Sequence, residues 1–228
     1  MGERNIGFSI YSLKDRPDQR LVEQLKGIPV ANLADNMNRM ACLDPAIRPY
    51  NDTPLLGVAF TIKAPDGDNL MLHKAMDLAQ PGDVLVVSTI GRAERSLCGE
   101  IMLTYARERG IKGIVADGYI RDVKGIAKMN DFSVYARGVT PNGPYKNGPG
   151  EINVPIAVGG QVIQPGDIIC GDADGVIVIR PEEVEQVLAA GKELLYVEKE
   201  RIEDILQGKG MDRSWIDPRL EELGCKTN

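Results

Sequence analysis

A strand–helix–strand pattern between Gly82 and Asp122 constrains the fold of this chain more than any other feature. Residues 82–87 and 113–118 are short apolar runs behind glycine, which is typical of buried strands. Residues 96–110 carry apolar side chains at helical spacing, and Gly110 is a suitable stop. A helix that connects two neighbouring strands makes them parallel. The start of this helix and the Arg121-Asp122 pair that follows the second strand are therefore expected at the same edge of a sheet.

The residue types at that edge suit a small anionic ligand. Backbone N–H groups of the first helical turn, at Ile101 and Met102, have no partner within the helix and form an anion site that the helix dipole strengthens. Gly99 lets a ligand approach the backbone. Arg121 can offer two parallel hydrogen bonds to a carboxylate, and Asp122 can hold a hard divalent cation that bridges the oxygens of a 2-oxo acid. The pattern predicts a site for pyruvate or a similar 2-oxo acid.

Glu100, followed after twenty residues by Arg121-Asp122, resembles the signature of a known family. This family contains the 4-hydroxy-4-methyl-2-oxoglutarate/4-carboxy-4-hydroxy-2-oxoadipate aldolases and the RraA regulators of ribonuclease E. The resemblance extends over most of the chain, through residues 57–62, 68–69, 81–87, 117–122, 165–169 and 172–176. Regulators are expected to carry a non-acidic residue in place of Glu100, so Glu100 favours the aldolase branch. Many relatives have an Asp and two glycines after the first strand, whereas this chain has Ser88-Thr89-Ile90-Gly91, which we expect to change the pocket wall.

The resemblance implies an α/β fold, a three-layer β/β/α swivelling-type single domain that spans residues 1–228. It also implies a homotrimer, or a homohexamer of two trimers, with active sites at subunit interfaces. The C-terminal helix and tail, about residues 181–228, are then expected to pack on a neighbouring subunit. In the aldolases a glutamate from the C-terminal helix of the adjacent subunit approaches the metal site, and Glu198 best matches that position.

The resemblance further implies a metal-dependent lyase that cleaves a 4-hydroxy-2-oxo acid, such as 4-hydroxy-4-methyl-2-oxoglutarate, into pyruvate and a second carbonyl compound. Mg²⁺ or Mn²⁺ on Asp122 would stabilise the pyruvate enolate, and Arg121 would add a second positive charge. Glu100, together with Glu198 of a neighbour, is the candidate general base. Oxaloacetate decarboxylation would yield the same enolate.

Two other classes of function remain open from sequence. A regulator that binds ribonuclease E without catalysis would not need Asp122 or a metal ion. A methyltransferase is disfavoured, because the chain lacks the Gly-rich strand–turn–helix of an adenosyl-binding turn. A Schiff-base aldolase would need a buried lysine of lowered pKa, and Lys63, Lys74 and Lys124 have no evident apolar setting in the sequence.

Composition narrows the cellular setting and the partners. The apolar fraction of 43% in 228 residues is ample for a core, and a formal charge of −6 argues against a sequence-independent grip on nucleic acid. No stretch approaches the roughly 20 apolar residues of a membrane span, so we expect a cytoplasmic protein. Four dispersed cysteines and one histidine exclude an ordinary structural zinc site. That histidine, His73, is predicted on a helix, and a lone helical histidine is not assigned to the site.

The rest of the chain is predicted to alternate short strands with helices. A Gly- and Pro-rich segment after Thr140 is predicted to be a long ordered loop, in which Tyr145-Lys146 could reach a neighbouring subunit or simply lie on the surface. Pro-Gly-Asp precedes an apolar run twice, at Pro81 and Pro165. Helices are predicted at residues 18–40 in two pieces, 70–78 and from 181 onward, and strands at 55–63, 133–137, 152–157, 161–163, 168–170 and 176–179.

Overall fold

The computed structural model describes residues 5–91 and 94–226, and within these ranges the chain forms twelve strands, seven α-helices and one 3₁₀ turn. The strands are β1 (Phe8–Ile10), β2 (Arg48–Pro49), β3 (Leu55–Pro65), β4 (Asp83–Ile90), β5 (Ser96–Cys98), β6 (Gly113–Ile120), β7 (Ser133–Val139), β8 (Gly150–Ile152), β9 (Ile156–Val158), β10 (Gln161–Ile163), β11 (Ile168–Asp172) and β12 (Gly175–Ile179). The helices are α1 (Gln19–Glu23), α2 (Val30–Asp35), α3 (Leu70–Leu78), α4 (Glu100–Glu108), α5 (Val123–Ile126), α6 (Val184–Leu206) and α7 (Ile216–Glu222), with the 3₁₀ turn at Pro181–Glu183 before α6.

A large mixed sheet organises these elements in the order β1-β8-β3-β4-β6-β7-β2, with β5 beside β6 and with β11 joining β3 to β12. Strands β3, β4, β6 and β7 are parallel to one another. The predicted pairing within the strand–helix–strand unit is confirmed, since Val84 lies opposite Gly113 and Ser88 opposite Asp117. The α/β fold that the resemblance implies is therefore present.

Alternation along the parallel strands separates two apolar cores. One face of the sheet, which includes Leu85, Val87 and Ile114, packs against α3 and α4. The other face, which includes Val84 and Val86, packs against side chains of β9 to β12. Both cores follow from the period-two geometry of a strand, which sends successive side chains to opposite faces.

A third core lies outside β11 and β12. Ile168 of β11 and Ile177 of β12 lie in one apolar cluster with Leu33 of α2 and Leu188 of α6. Residues of α1 join the same cluster, so the helices near the two ends of the chain cover these strands from outside. No helix in the described part of the chain combines the length and apolar character that a membrane crossing requires.

Two short elements differ from the sequence prediction. Ser96–Cys98 was expected to open the helix, but it is strand β5, which pairs with β6 through Ser96 and Tyr119. Residues 152–157 were expected to form one strand, but the chain forms β8 and β9 with a break at Asn153, whose φ is 57°. Both differences arise from tertiary pairing and a single left-handed residue, which periodicity does not register.

The repeated Pro-Gly-Asp segments form the same turn on two sides of β3. In each turn the glycine has a positive φ, 94° at Gly82 and 97° at Gly166. In each turn the aspartate also accepts a hydrogen bond from the backbone N–H of the glutamine three residues before it, Gln80 for Asp83 and Gln164 for Asp167. Asp83 and Asp167 are buried, and each forms an ion pair, with Arg16 and Arg180 respectively. The two Pro-Gly-Asp segments therefore form the same type of turn, one before β4 and one before β11.

Candidate functional site

The end of β6 and the start of α4 are tied together at one edge of the sheet, as the sequence predicts. Cys98 of β5 pairs with Ile120 of β6, and the Arg121 N–H donates to the Cys98 carbonyl oxygen at 3.0 Å. Gly99 follows with an extended backbone, and α4 begins at Glu100. Arg121 and Asp122 therefore lie beside the first turn of α4.

Asp122 reaches directly over the start of α4. Its backbone is left-handed, with φ 63° and ψ 33°, and its Oδ2 accepts the Glu100 N–H at 3.1 Å. A Cβ atom on Gly99 would lie 2.1 Å from that oxygen. Gly99 was expected to make room for a ligand, and the structure shows that it makes room for the Asp122 carboxylate. Arg121 Nε lies 3.7 Å from the same Oδ2, and both side chains are about half exposed.

Glu100 lies against the short helix that follows Asp122. A Cβ atom on Gly125 would come within 2.1 Å of the Glu100 carboxyl carbon, so the carboxylate rests on the α5 backbone. The structure thus brings Glu100, Arg121 and Asp122 around one helix start, and each keeps solvent access for a ligand.

Arg121 and Asp122 border a cavity of about 190 Å³, whereas Glu100 is not among the residues that line it. Its walls come from three parts of the chain: the segment from β5 into α4 with Arg121 and Asp122, the first turn of α3, and the loop after β7. The lining residues are Asn69, His73, Ser96, Leu97, Cys98, Gly99, Ile101, Met102, Arg121, Asp122, Pro144 and Lys146. Arg121 and Asp122 also border a more open cavity of about 320 Å³ beside Val139. Larger cavities of the described chain, of about 340 and 600 Å³, contain none of the residues predicted for the site.

Three polar residues on the cavity wall cannot be assigned from sequence alone. Asn69 and His73 lie one turn apart at the start of α3, and Lys146 lies in the long loop that joins β7 to β8. His73, a lone helical histidine, therefore belongs to the wall of the site. The one sequence signal for any of these assignments was that Asn69 lies in a segment that resembles the family.

Burial shifts the pKa values of two residues on the cavity wall, His73 and Cys98, in opposite directions. Burial, with help from the Lys146 charge, lowers the pKa of His73 against a smaller opposing effect of Asp77, so its imidazole is neutral at pH 7. Burial raises the pKa of Cys98 to about 12, and the nearby Asp122 charge adds to the effect. The Cys98 thiol is consequently protonated, which excludes it as a thiolate nucleophile.

Two expectations about neighbouring residues come out differently. Ser88 and Thr89 do not line the cavity, because their hydroxyls donate to the carbonyl oxygens of Ala157 and Asp117 at 2.7 and 2.8 Å. Ser88 and Thr89 therefore contribute no side chain to the wall of this cavity. Glu198 lies on α6, where its Oε2 accepts a hydrogen bond from the Asn32 side chain at 2.5 Å, and it does not border the cavity of its own chain.

The site offers few carboxylate ligands, which suits an ion such as Mg²⁺ or Mn²⁺ that keeps several of its waters. It does not suit a metal ion that is bound entirely by protein side chains. Mg²⁺ in proteins usually takes one or two carboxylates and keeps several waters. Asp122 is half exposed, and no described residue donates a hydrogen bond to its Oδ1. Among residues 5–91 and 94–226, no three His, Cys, Asp or Glu side chains gather as a metal cage would require. Asp122 is the carboxylate that fits such an ion, and Glu100 at the start of α4 lies near it without being needed as a ligand.

Comparison with known proteins agrees with the geometry. A protein of Halalkalibacterium halodurans named "Putative 4-hydroxy-4-methyl-2-oxoglutarate aldolase" is 41% identical over 172 residues, which cover 75% of this chain and 81% of that protein. An uncharacterised protein from Pseudomonas syringae superposes with a TM-score of 0.75 at 26% identity, over 86% of this chain and 96% of its own.

A Streptomyces coelicolor structure, described as an unusual member of the RNase ES inhibitor RraA family, has a TM-score of 0.71 at 27% identity, over 82% of this chain and all of its own. The RraA-like family model, described as Aldolase/RraA, matches residues 30–178, which include the whole cavity wall. With this match over more than half of its length, the chain belongs to the RraA-like (Aldolase/RraA) family.

Proposed function

We propose that this protein is a divalent-metal-dependent lyase that cleaves a 4-hydroxy-2-oxo acid to pyruvate and a second carbonyl compound. The observation that carries this proposal is the convergence of Arg121, Asp122 and the start of α4 on one small cavity. The name of the Halalkalibacterium halodurans relative points to the same chemistry and to 4-hydroxy-4-methyl-2-oxoglutarate as a substrate.

Substrate binding begins at the helix start. The N–H groups of Ile101 and Met102 have no acceptor in the described chain. They lie at the N-terminal end of α4, where the helix dipole favours a bound negative charge. The Arg121 guanidinium, half exposed beside them, can bind the same carboxylate through two parallel hydrogen bonds. These groups orient the 2-oxo acid with its keto oxygen toward Asp122.

Bond cleavage requires removal of a proton and stabilisation of an enolate. Glu100, held against α5 beside the cavity, is the general base that we propose for the C4 hydroxyl, and Arg121 offers positive charge to the developing enolate oxygen. When bound at Asp122, Mg²⁺ or Mn²⁺ supplies Lewis-acid stabilisation of that enolate, worth several kcal/mol. Loss of CO₂ from oxaloacetate yields the same enolate, so we expect decarboxylase activity as well.

Exposed apolar side chains near this site support its coverage by a second copy of the chain, as in the homotrimer or homohexamer that we propose. Ile101 on the cavity wall is 86% exposed, Val139 on the neighbouring cavity is 46% exposed, and Tyr105 further along α4 is also 46% exposed. Large apolar side chains at the mouth of a polar site favour coverage by a second copy of the chain. In such an assembly Glu198 of a neighbour would assist Glu100.

A second candidate is a protein-binding regulator of the RraA kind. The Streptomyces coelicolor neighbour, which this chain covers completely, is described as belonging to a family of RNase ES inhibitors. Such a function would leave Glu100, Asp122 and the neutral His73 without a role, so we place it second.

Pyruvate release from oxaloacetate and from 4-hydroxy-4-methyl-2-oxoglutarate tests the proposal. We expect turnover with Mg²⁺, its loss in EDTA, and its loss in Asp122→Asn, which keeps the size of the side chain and removes the charge. Asp131→Asn is a matched control, because Asp131 is exposed and lies outside the site cavity. No turnover by the intact protein with Mg²⁺ or Mn²⁺ would overturn the lyase and move the regulator to first place.

A further inference from the structure

We propose that Asn69, His73 and Lys146 form a subsite for the distal half of the substrate, which takes its C4 hydroxyl and a carboxylate attached to C4. This inference rests on the proposed function, since it needs a 2-oxo acid bound at Arg121 and Asp122. It identifies the residues that bind the distal end of that molecule and therefore the 4-hydroxy-2-oxo acids that the enzyme prefers.

Asn69 supplies the first part of the argument, because its amide orientation is fixed. Its Nδ2 donates to the Leu97 carbonyl oxygen at 2.7 Å and lies 3.4 Å from the Met102 sulfur. A carbonyl oxygen only accepts, so Nδ2 must face Leu97 and Oδ1 must face elsewhere. Asn69 is 1% exposed and its Oδ1 has no partner in the described chain. A buried acceptor without a donor is costly, so a ligand that brings a donor is favoured.

The chemistry of the substrate identifies that donor. The keto and carboxylate oxygens of a 4-hydroxy-2-oxo acid are all acceptors at neutral pH, and the C4 hydroxyl is the one O–H group that can donate. This O–H donates to Asn69 in the bound substrate, and its proton passes to Glu100 only as the C3–C4 bond breaks. Asn69 lines the same cavity as Arg121, so a molecule held there by its 2-oxo end meets Asn69 with its distal part. Oxaloacetate has no such hydroxyl and gains nothing from this contact.

His73 and Lys146 supply donors for a distal carboxylate. His73 Nε2 is buried without a partner, and the Lys146 charge is close enough to lower the pKa of His73. A neutral imidazole can donate one N–H, and the ammonium group adds a full positive charge. One acceptor and two donors on the same wall match a carbon that carries both a hydroxyl and a carboxylate.

The Lys146 backbone is held in place before any ligand binds. The Tyr145 N–H donates to the Gly67 carbonyl oxygen at 2.8 Å, and the Asn147 N–H donates to Asp68 Oδ2 at 2.6 Å. The residues on both sides of Lys146 are thus anchored to the loop that leads into α3. An anchored backbone limits the region that the Lys146 ammonium group can reach, which lowers the entropic cost of binding a carboxylate there.

Ligand binding followed by NMR tests the subsite without turnover. His73 is the only histidine, so one set of imidazole resonances reports on it. We expect 2-oxoglutarate, which has a distal carboxylate, to shift these resonances in the Mg²⁺-loaded protein, and 2-oxopentanoate, which lacks it, to bind without shifting them. Lys146→Met should weaken 2-oxoglutarate by about tenfold or more and leave 2-oxopentanoate unchanged.

Lys74→Met is the matched control, because Lys74 is exposed on the same helix as His73 and does not line the cavity. For turnover, His73→Gln and Lys146→Met should raise KM for 4-hydroxy-4-methyl-2-oxoglutarate more than for 4-hydroxy-2-oxopentanoate, with little change in kcat. Equal weakening of both 2-oxo acids, or an unmoved His73 resonance with 2-oxoglutarate bound, would overturn the subsite and leave the lyase standing. Failure of both 2-oxo acids to bind would overturn both.

Discussion

Gly99 controls where the Asp122 carboxylate lies, because an added methyl group would meet its Oδ2 at 2.1 Å. The Gly99 backbone is extended, with φ −149°, so alanine causes no backbone strain and acts only through this contact. We expect Gly99→Ala to weaken Mn²⁺ binding on the order of 10- to 100-fold, as loss of a positioning contact commonly does. Calorimetric titration with Mn²⁺ measures this, and circular dichroism checks that the fold is kept.

A substitution at Gly125 tests Glu100 in the same way that Gly99→Ala tests Asp122. An added methyl group there would meet the Glu100 carboxyl carbon at 2.1 Å, and Gly125 lies inside a helix that alanine otherwise favours. We therefore expect Gly125→Ala to lower kcat and to leave Mn²⁺ affinity near the wild-type value. An identical effect of the two alanines on metal affinity would show that Glu100 and Asp122 do not have separate roles.

His73 links the site to pH. Its pKa lies below the ordinary value of 6.5, mainly because burial disfavours the charged imidazole. The unfolded chain therefore binds a proton at His73 before the native protein does, so the free energy of unfolding falls as the pH drops below about 6.5. We expect a smaller fall between pH 7.5 and 5.5 in His73→Gln, measured by urea unfolding. An NMR titration midpoint of His73 above 6.5 would contradict this account.

At the scale of elements, Asp68 joins helix α3 to the loop that carries Lys146. Its Oδ1 accepts the Leu70 N–H at 2.9 Å, and its Oδ2 accepts those of Asn147 and Gly148 at 2.6 and 3.1 Å. We expect Asp68→Ala to lower the free energy of unfolding by about 2–3 kcal/mol, because it leaves three donors unpaired. Asp68→Asn keeps one acceptor oxygen and should lose less in the same urea titration, whereas equal losses would argue against this anchor.

The elements that sequence predicts well are those with local signals. The apolar runs of β4 and β6 and the periodicity of α4 were sufficient to bring Arg121 and Asp122 to the start of that helix. Strand β5 escaped prediction because three residues carry too little periodicity and its pairing with β6 is decided by the tertiary fold.

The distal wall of the site escaped prediction for a different reason. Lys146 is 73 residues from His73, and hydrogen bonds from Asp68 to the loop bring the two together. No local pattern encodes such a contact. Asn32, the partner of Glu198 inside its own chain, is 166 residues from it in sequence, and the proposed reach of Glu198 into a neighbouring site remains a prediction.

At the scale of the whole molecule, the C-terminal arm from α6 through α7 exposes a series of large apolar side chains. Ile202, Ile205 and Leu206 are 46–81% exposed and recur at helical spacing, and Trp215 and Leu223 beyond them are 61% and 66% exposed. The predicted tail continues to residues 227 and 228, which lie outside the described chain. An apolar stripe without a cover on its own chain favours packing on a neighbouring subunit.

We expect light scattering to give three or six times the chain mass of 24.9 kDa. Ile205→Asp should shift the distribution toward smaller species, because it places a charge in the proposed interface. Lys128→Asp is a control, because it adds a carboxylate at an exposed position outside the C-terminal arm. A wild-type protein that is monomeric at micromolar concentration would contradict the assembly, and with it the role of Glu198.

The two matching turns beside β3 set a limit on where this chain can be cut. The region shared with the family, residues 30–178, contains both buried aspartates, Asp83 and Asp167, but neither Arg16 nor Arg180, which neutralise them. A fragment trimmed to that region would enclose two uncompensated charges, at a cost of about 3–5 kcal/mol each. The family-model match therefore ends before the physical unit does, and expression boundaries or domain fusions for this protein should be chosen from its ion pairs rather than from the limits of that match.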